Sequence, residues 1–270
     1  MSASLLRLRD VRLLWAGETV TALGTAVSGV ALPLVALEVL DASVLAVTVL
    51  TAAAWLPWLL VGLPAGAWVD RLPKRPVLVA SDLGSALLLA SVPVAAALGV
   101  LTVAQLVVVS LGLGAGSVFF RTAWAAYLPA VVPAGRLVPA NALLHGSESA
   151  AQVAGPGLAG LLVTVVGAVG ALVADLVSFL VSAGCLLRVR TVETREQPDR
   201  RDLRAEVVEG VRLVTGDRFL RNLVLHGTVA NLPLVGYGAL AVPFLLREVG
   251  LPPAGVGLAI GAGAASWGPA

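Results

Sequence analysis

Of the 270 residues, 58% belong to the apolar set and 13% are charged, about half the charged share of an ordinary soluble domain. With a mean hydropathy of +0.95, too little polar surface remains to cover a globule, which excludes a water-soluble enzyme. The net charge of +2 gives no basic field for nucleic acid, and one cysteine, Cys185, leaves no disulfide framework and no cysteine metal cluster.

A helix that crosses the hydrocarbon core needs roughly 20 largely apolar residues. Seven stretches satisfy this, at 13–37, 44–68, 77–98, 103–120, 143–166, 169–187 and 223–246, and an eighth begins near Gly255. Strand alternation is absent, so the fold expected is an all-α membrane bundle. Arg7, Arg9 and Arg12 precede the first run as they would a signal peptide. That run is too long for one and carries Glu18 inside, so it is read as a retained span.

Orientation follows from the basic residues. Seventeen of them fall before span 1 or in alternate loops, including the linker after span 6, and only Arg247 falls on the other side. The N-terminus is therefore expected in the cytoplasm. In the linker, Leu203, Val207, Val211 and Val214 form one apolar stripe, as for a surface helix. The expected organisation is a six-span bundle over 1–188, a cytoplasmic linker over 189–220, and the start of a second bundle over 221–270.

Polar residues inside spans are costly: an ionised group at the bilayer centre costs about 2.5–3.5 kcal/mol on insertion scales. Glu18, Thr21, Thr25 and Ser28 share a face of span 1, and Ser110, Gly114, Ser117 and Arg121 share one of span 4. His145, Ser149, Gln152 and Pro156 do so in span 5, Thr48, Thr51, Trp55 and Trp58 in span 2, and Asp175, Ser178 and Ser182 in span 6. Such stripes can enclose a wet cavity for a solute, although Ser and Thr also bond their own backbone. Glu18 is the best candidate for carrying a proton or binding a cation. Asp175 is expected to be structurally paired, Arg121 to anchor the interface, and Glu148 to complement a helix start. His226 and Asn231 in span 7 do not share a face cleanly.

Between spans 2 and 3 stands Gly66-Ala67-Trp68-Val69-Asp70-Arg71-Leu72-Pro73-Lys74-Arg75. Gly66, Asp70, Arg71, Lys74 and Arg75 resemble the inter-helix loop signature of the major facilitator superfamily, with Pro73 where the family usually has glycine. In span 5, Gly155-Pro156-Gly157-Leu158-Ala159-Gly160 looks like that superfamily's exporter-associated motif, with Ala159 where glycine is common. Trp15–Gly17, the 119–129 stretch and Asn141 resemble its bacterial multidrug- and siderophore-exporter branch. In that branch an acid often stands where this chain has Thr25 and Arg121.

The resemblance implies a secondary efflux transporter of two six-helix halves, with a midplane cavity for a drug- or siderophore-like small molecule. It implies alternating access, exchange with protons, no cofactor, no metal, and a monomer in the bacterial inner membrane when complete. Glu18, Thr21, Thr25, Ser117, Arg121, Gln152 and Asn231 would serve coupling and the cavity. Gly66, Asp70, Arg71, Lys74 and Arg75 would gate the cytoplasmic side, and Gly155, Pro156 and Gly160 would form a hinge. A truncated, non-transporting fragment is the alternative. An intramembrane serine enzyme using Ser147 or Ser149 with His145 or His226 is a remote one, because no Gly-x-Ser-x-Gly elbow is present.

Overall fold

The computed structural model describes residues 5–133, 135–191, 208 and 212–266. Most of the expected linker helix, including Leu203, Val207 and Val211, lies outside the described residues. The described secondary structure is helical: α1 (Arg9–Leu34), α2 (Val44–Arg71), α3 (Lys74–Ala97), α4 (Val103–Val131), the run Leu137–Arg188, α7 (Arg218–Pro243) and α8 (Pro253–Ser266). Among the described residues, six helical stretches are long and apolar enough to cross a membrane.

The run Leu137–Arg188 is broken once, at Gly167, with φ 78 and ψ 165. A side chain disfavours that backbone region, so glycine is the residue that turns the chain there. The break divides α5 (137–166) from α6 (168–188), close to where the two spans are expected. Ser43 and Thr102 cap α2 and α4 through bonds from the Ala46 and Gln105 amides. Helices α2 and α4 continue past their apolar stretches to Arg71 and Val131, because helix can persist where lipid contact ends.

Helix α1 packs along the α5–α6 run, α2 packs on α4, and α3 fills the groove between α4 and that run. Close approach depends on missing side chains. A Cβ at Gly114 of α4 would strike the Ala54 carbonyl of α2, and one at Gly155 of α5 would strike Ala26 of α1. Helix α8 seats on α5 in the same way, with Gly257 over Pro156 and Gly160, and Gly261 over Val153.

The first and seventh helices end alike. Each passes a proline, Pro33 or Pro243, and widens into a π segment, Val35–Val39 or Phe244–Glu248. Proline lacks the amide needed by the turn behind it, and such widening is a recognised way to absorb the mismatch. The closing bonds repeat: Leu40 N to Val35 O and Ala42 N to Ala36 O in the first, Val249 N to Phe244 O and Leu251 N to Leu245 O in the second. A left-handed residue follows in both, Asp41 (φ 46) and Gly250 (φ 70). The chain thus uses one design twice.

A belt of polar groups between two apolar clusters

Two separate apolar clusters occupy the ends of the bundle. At the end carrying the Arg71–Arg75 loop, here the basic end, Val11, Leu14, Val69, Leu78, Ala123 and Leu186 pack together. At the opposite end the π segment of α1 packs with Leu89, Leu106, Val163, Leu172 and Val242. The helices are polar between these clusters. Buried Asp82, Ser85, Ser110, Asp175, Ser178 and Ser182 all lie in that interval, as do Glu18, Ser117, Arg121, Glu148 and Gln152 by sequence position.

One group in this belt joins α1, α4 and α5. Arg121 Nη2 lies 2.5 Å from Glu148 Oε1, and His145 Nδ1 lies 3.5 Å from Glu148 Oε2. Trp15 Nε1 donates to Ser147 Oγ at 2.8 Å, which ties α1 to α5 one residue away. Glu18 lies within electrostatic reach of both Arg121 and Glu148, and its Oε2 is buried with no hydrogen-bond partner among the described residues. This corrects one expectation and adds to another. Helix α5 starts at Leu137, so Glu148 stands well inside the helix rather than at its start, and Arg121, expected as an interface anchor, has Glu148 of the next helix as its partner. Sequence spacing orders residues around one helix and is blind to what the next helix presents.

A second group follows the seam of α1, α3 and α6. Thr21 donates to the Ser178 carbonyl at 3.4 Å, and Asp175 is buried between Ser28 and Ser178. A Cβ at Gly24 would fall 2.5 Å from Asp175 Oδ1. Asp175 is therefore paired, as expected. Asp82 of α3 faces Ser182, and its Oδ2 is buried with no partner among the described residues. Sequence reasoning passed over Asp82. The available signal was that Asp82 and Ser85 lie one turn apart among Leu78, Leu89 and Val92, all on the buried face of α3.

The other expected site residues separate. Thr25 and Gln152 are exposed and Ser117 is half-buried, an open polar face on α1, α4 and α5. Asn231 is exposed and donates to the Gly227 carbonyl of its own helix at 2.8 Å, so it does not join the belt. Thr48 and Thr51 likewise bond their own backbone, at Val44 and Val47. His226 and Ser149 are exposed and distinct from any nucleophile–base pair in the hydrogen bonds described.

In the inter-helix loop, Lys74 Nζ donates to the carbonyls of Val69, Asp70 and Leu72 at 2.7, 2.9 and 3.0 Å. It caps the end of α2, where free carbonyls and the helix dipole favour a cation. Arg75 does the same for α6 through the Leu186 and Leu187 carbonyls. The Asp70 side is exposed, Arg71 is half-buried, and a Cβ at Gly66 would meet nothing within 4 Å. Pro73 serves as the extended residue before α3, a position that needs no amide donor.

A family model described as transmembrane secretion effector matches residues 2–265. A multidrug efflux pump, Tap, of Mycolicibacterium fortuitum is 33% identical over 222 residues, covering 77% of this chain and 53% of that protein. The chain spans about half the length of that curated relative. A match running almost end to end agrees with the apolar helices, the inter-helix loop and the glycine-rich α5. The chain belongs to the transmembrane secretion effector family of the major facilitator superfamily, a family of multi-pass membrane transporters.

Proposed function

We propose that this chain is the leading part of a proton-coupled antiporter that exports drug- or siderophore-like small molecules by alternating access. The observation that carries the reading is the group of Glu18, Arg121 and Glu148 on three helices. The guanidinium of Arg121 is paired with Glu148, and Glu18 lies within electrostatic reach of both, so under this reading the cation can serve one carboxylate at a time. Protonation of one carboxylate frees the arginine for the other, so a proton changes the charge facing the open polar side of α1, α4 and α5. Thr25, Ser117 and Gln152 line this route from α1, α4 and α5, and Thr21 borders it on the seam with α6.

The bundle over 1–188 acts as one lobe, 189–220 as the cytoplasmic linker, and 221–270 as the opening of the second lobe. The N-terminus and the basic end face the cytoplasm of a bacterial inner membrane, and the complete transporter works as a monomer. Asp70, with Gly66, Arg71, Lys74 and Arg75, forms the cytoplasmic gate, and Lys74 and Arg75 hold that loop to the ends of α2 and α6. Gly155, Pro156 and Gly160 form the hinge, where α5 meets α1 and α8. The name of the Mycolicibacterium relative, a multidrug efflux pump, supports export of several compounds.

The test is efflux of a lipophilic cationic dye from cells producing the complete two-lobe transporter that carries this chain, with and without a protonophore, beside cells producing the chain alone. Active efflux by the complete transporter that stops when the proton gradient is collapsed is the expected result. Efflux that continues unchanged after collapse would remove proton antiport, and no efflux from the complete transporter beyond empty cells would remove the transporter reading, while the chain alone is expected to give none.

A further inference from the structure

Arg247 is the one basic residue placed by the sequence on the side opposite all the others, and it reaches across to the first bundle. Its Nη2 donates to the Ala42 carbonyl at 2.8 Å and lies 3.5 Å from Asp41 Oδ1. It stands in the π segment of the second copy of the repeated helix ending and grips the turn that closes the first copy. Burial of α7 is confined to the same place. Among its described side chains the buried ones are Ala239, Val242 and Pro243, all near that end, while the stretch toward the basic end is exposed or half-buried. Val242 belongs to the apolar cluster built around the α1 π segment.

We propose that Arg247 is the outer latch of the transport route, a positioning residue that holds α7 against the α1–α2 turn while the basic end stands open. The proposal rests on the transporter reading above. The latch is anchored on a backbone carbonyl, because the Asp41 side chain is 99% exposed and 3.5 Å away, where solvent weakens an ion pair. A backbone anchor keeps the bond specific to the closed arrangement. When α7 moves away as a body, Arg247 loses the Ala42 carbonyl, and the apolar contact of Val242 opens with it.

The test uses the full chain with Cys185→Ser and Val242→Cys in right-side-out vesicles, treated with a membrane-impermeant maleimide. Val242 is 4% exposed, so labelling with Arg247 in place is slow. Arg247→Ala is expected to speed it about tenfold, the scale set by losing one charge-assisted hydrogen bond. Arg247→Lys keeps labelling slow, and Asp41→Asn changes it less than about twofold, as for a solvent-exposed pair. Equal labelling rates with and without Arg247 would overturn the latch, and so would an Asp41→Asn effect as large as that of Arg247→Ala. A buried site at the basic end, Val69→Cys in inside-out vesicles, should be unaffected by Arg247→Ala; a parallel rise there would show general loosening and overturn the latch as well. Val100→Cys, 62% exposed in the α3–α4 connection, labels from outside if the topology is right, and its failure to label would remove the transporter reading itself.

Discussion

Gly114→Val is expected to destabilise the bundle by about 1–3 kcal/mol, the usual cost of overpacking a closely fitted contact. The added Cβ would meet the Ala54 carbonyl oxygen of α2, with the carbonyl carbon 3.0 Å away. Those atoms are helix backbone and have no rotamer to escape into, so α2 and α4 must part. Parting them exposes Ser110, 4% exposed in the native contact, and removes dispersion contacts along the seam. Gly84→Ala is the matched comparison, because a Cβ there meets nothing within 4 Å. It should fall within about 0.5 kcal/mol of the parent, as surface substitutions do. Unfolding titrations in a denaturing detergent measure both. Equal midpoints for Gly114→Val and the parent would mean that α2 and α4 are not in this contact.

The second large effect is functional. Arg121→Glu places a third carboxylate beside Glu18 and Glu148 and removes the cation that serves them. Dye efflux is expected to fall at least about 100-fold, equivalent to about 3 kcal/mol of barrier. This lies between the value of an exposed ion pair, about 0–1 kcal/mol, and the cost of breaking a buried one, about 3–5 kcal/mol. An intermediate value suits side chains that are 57% exposed for Arg121 and 21% for Glu148. Adding Glu148→Arg to Arg121→Glu restores the pair with its charges exchanged, and efflux should recover at least about tenfold over the single variant. Efflux no better in the double variant, with both proteins present in the membrane at parental levels, would mean that the Arg121–Glu148 contact is not what the transport cycle uses.

Much of the helix pattern was legible in the sequence because lipid imposes length and hydropathy together. The break between α5 and α6 could be read at Gly167 for the same reason: two apolar runs meet at a residue without a side chain. Helix ends were less legible, since α2 and α4 run on to Arg71 and Val131 where the apolar signal has already faded. The polar stripes were visible as faces but not as partners. Thr21 and Ser28 share a stripe with Glu18 and Thr25, yet they turn toward α6 while Thr25 stays exposed. A face about a third of a helix wide can serve two neighbours at once, and spacing along one chain cannot divide it. Asp82 escaped notice because it lies near the basic end of span 3, where a carboxylate would ordinarily reach water. Packing of α3 between α4 and α6 carries it to 1% exposure instead. The repeated π segments were hidden for another reason: Pro33 and Pro243 are visible, but the widened bonds behind them appear only in the backbone.

Sided cysteine labelling gives the most direct reading of the whole arrangement, using the Cys185→Ser chain in sealed vesicles of both orientations. Asp70→Cys, in the exposed basic loop, and Thr25→Cys, on the open polar face of α1, should react with an impermeant maleimide from the cytoplasmic side. Val100→Cys should react from the outside alone. Asp70→Cys and Val100→Cys reacting from the same side, or Thr25→Cys remaining inert from both, would contradict a bundle that crosses the membrane in alternation around a water-accessible polar face.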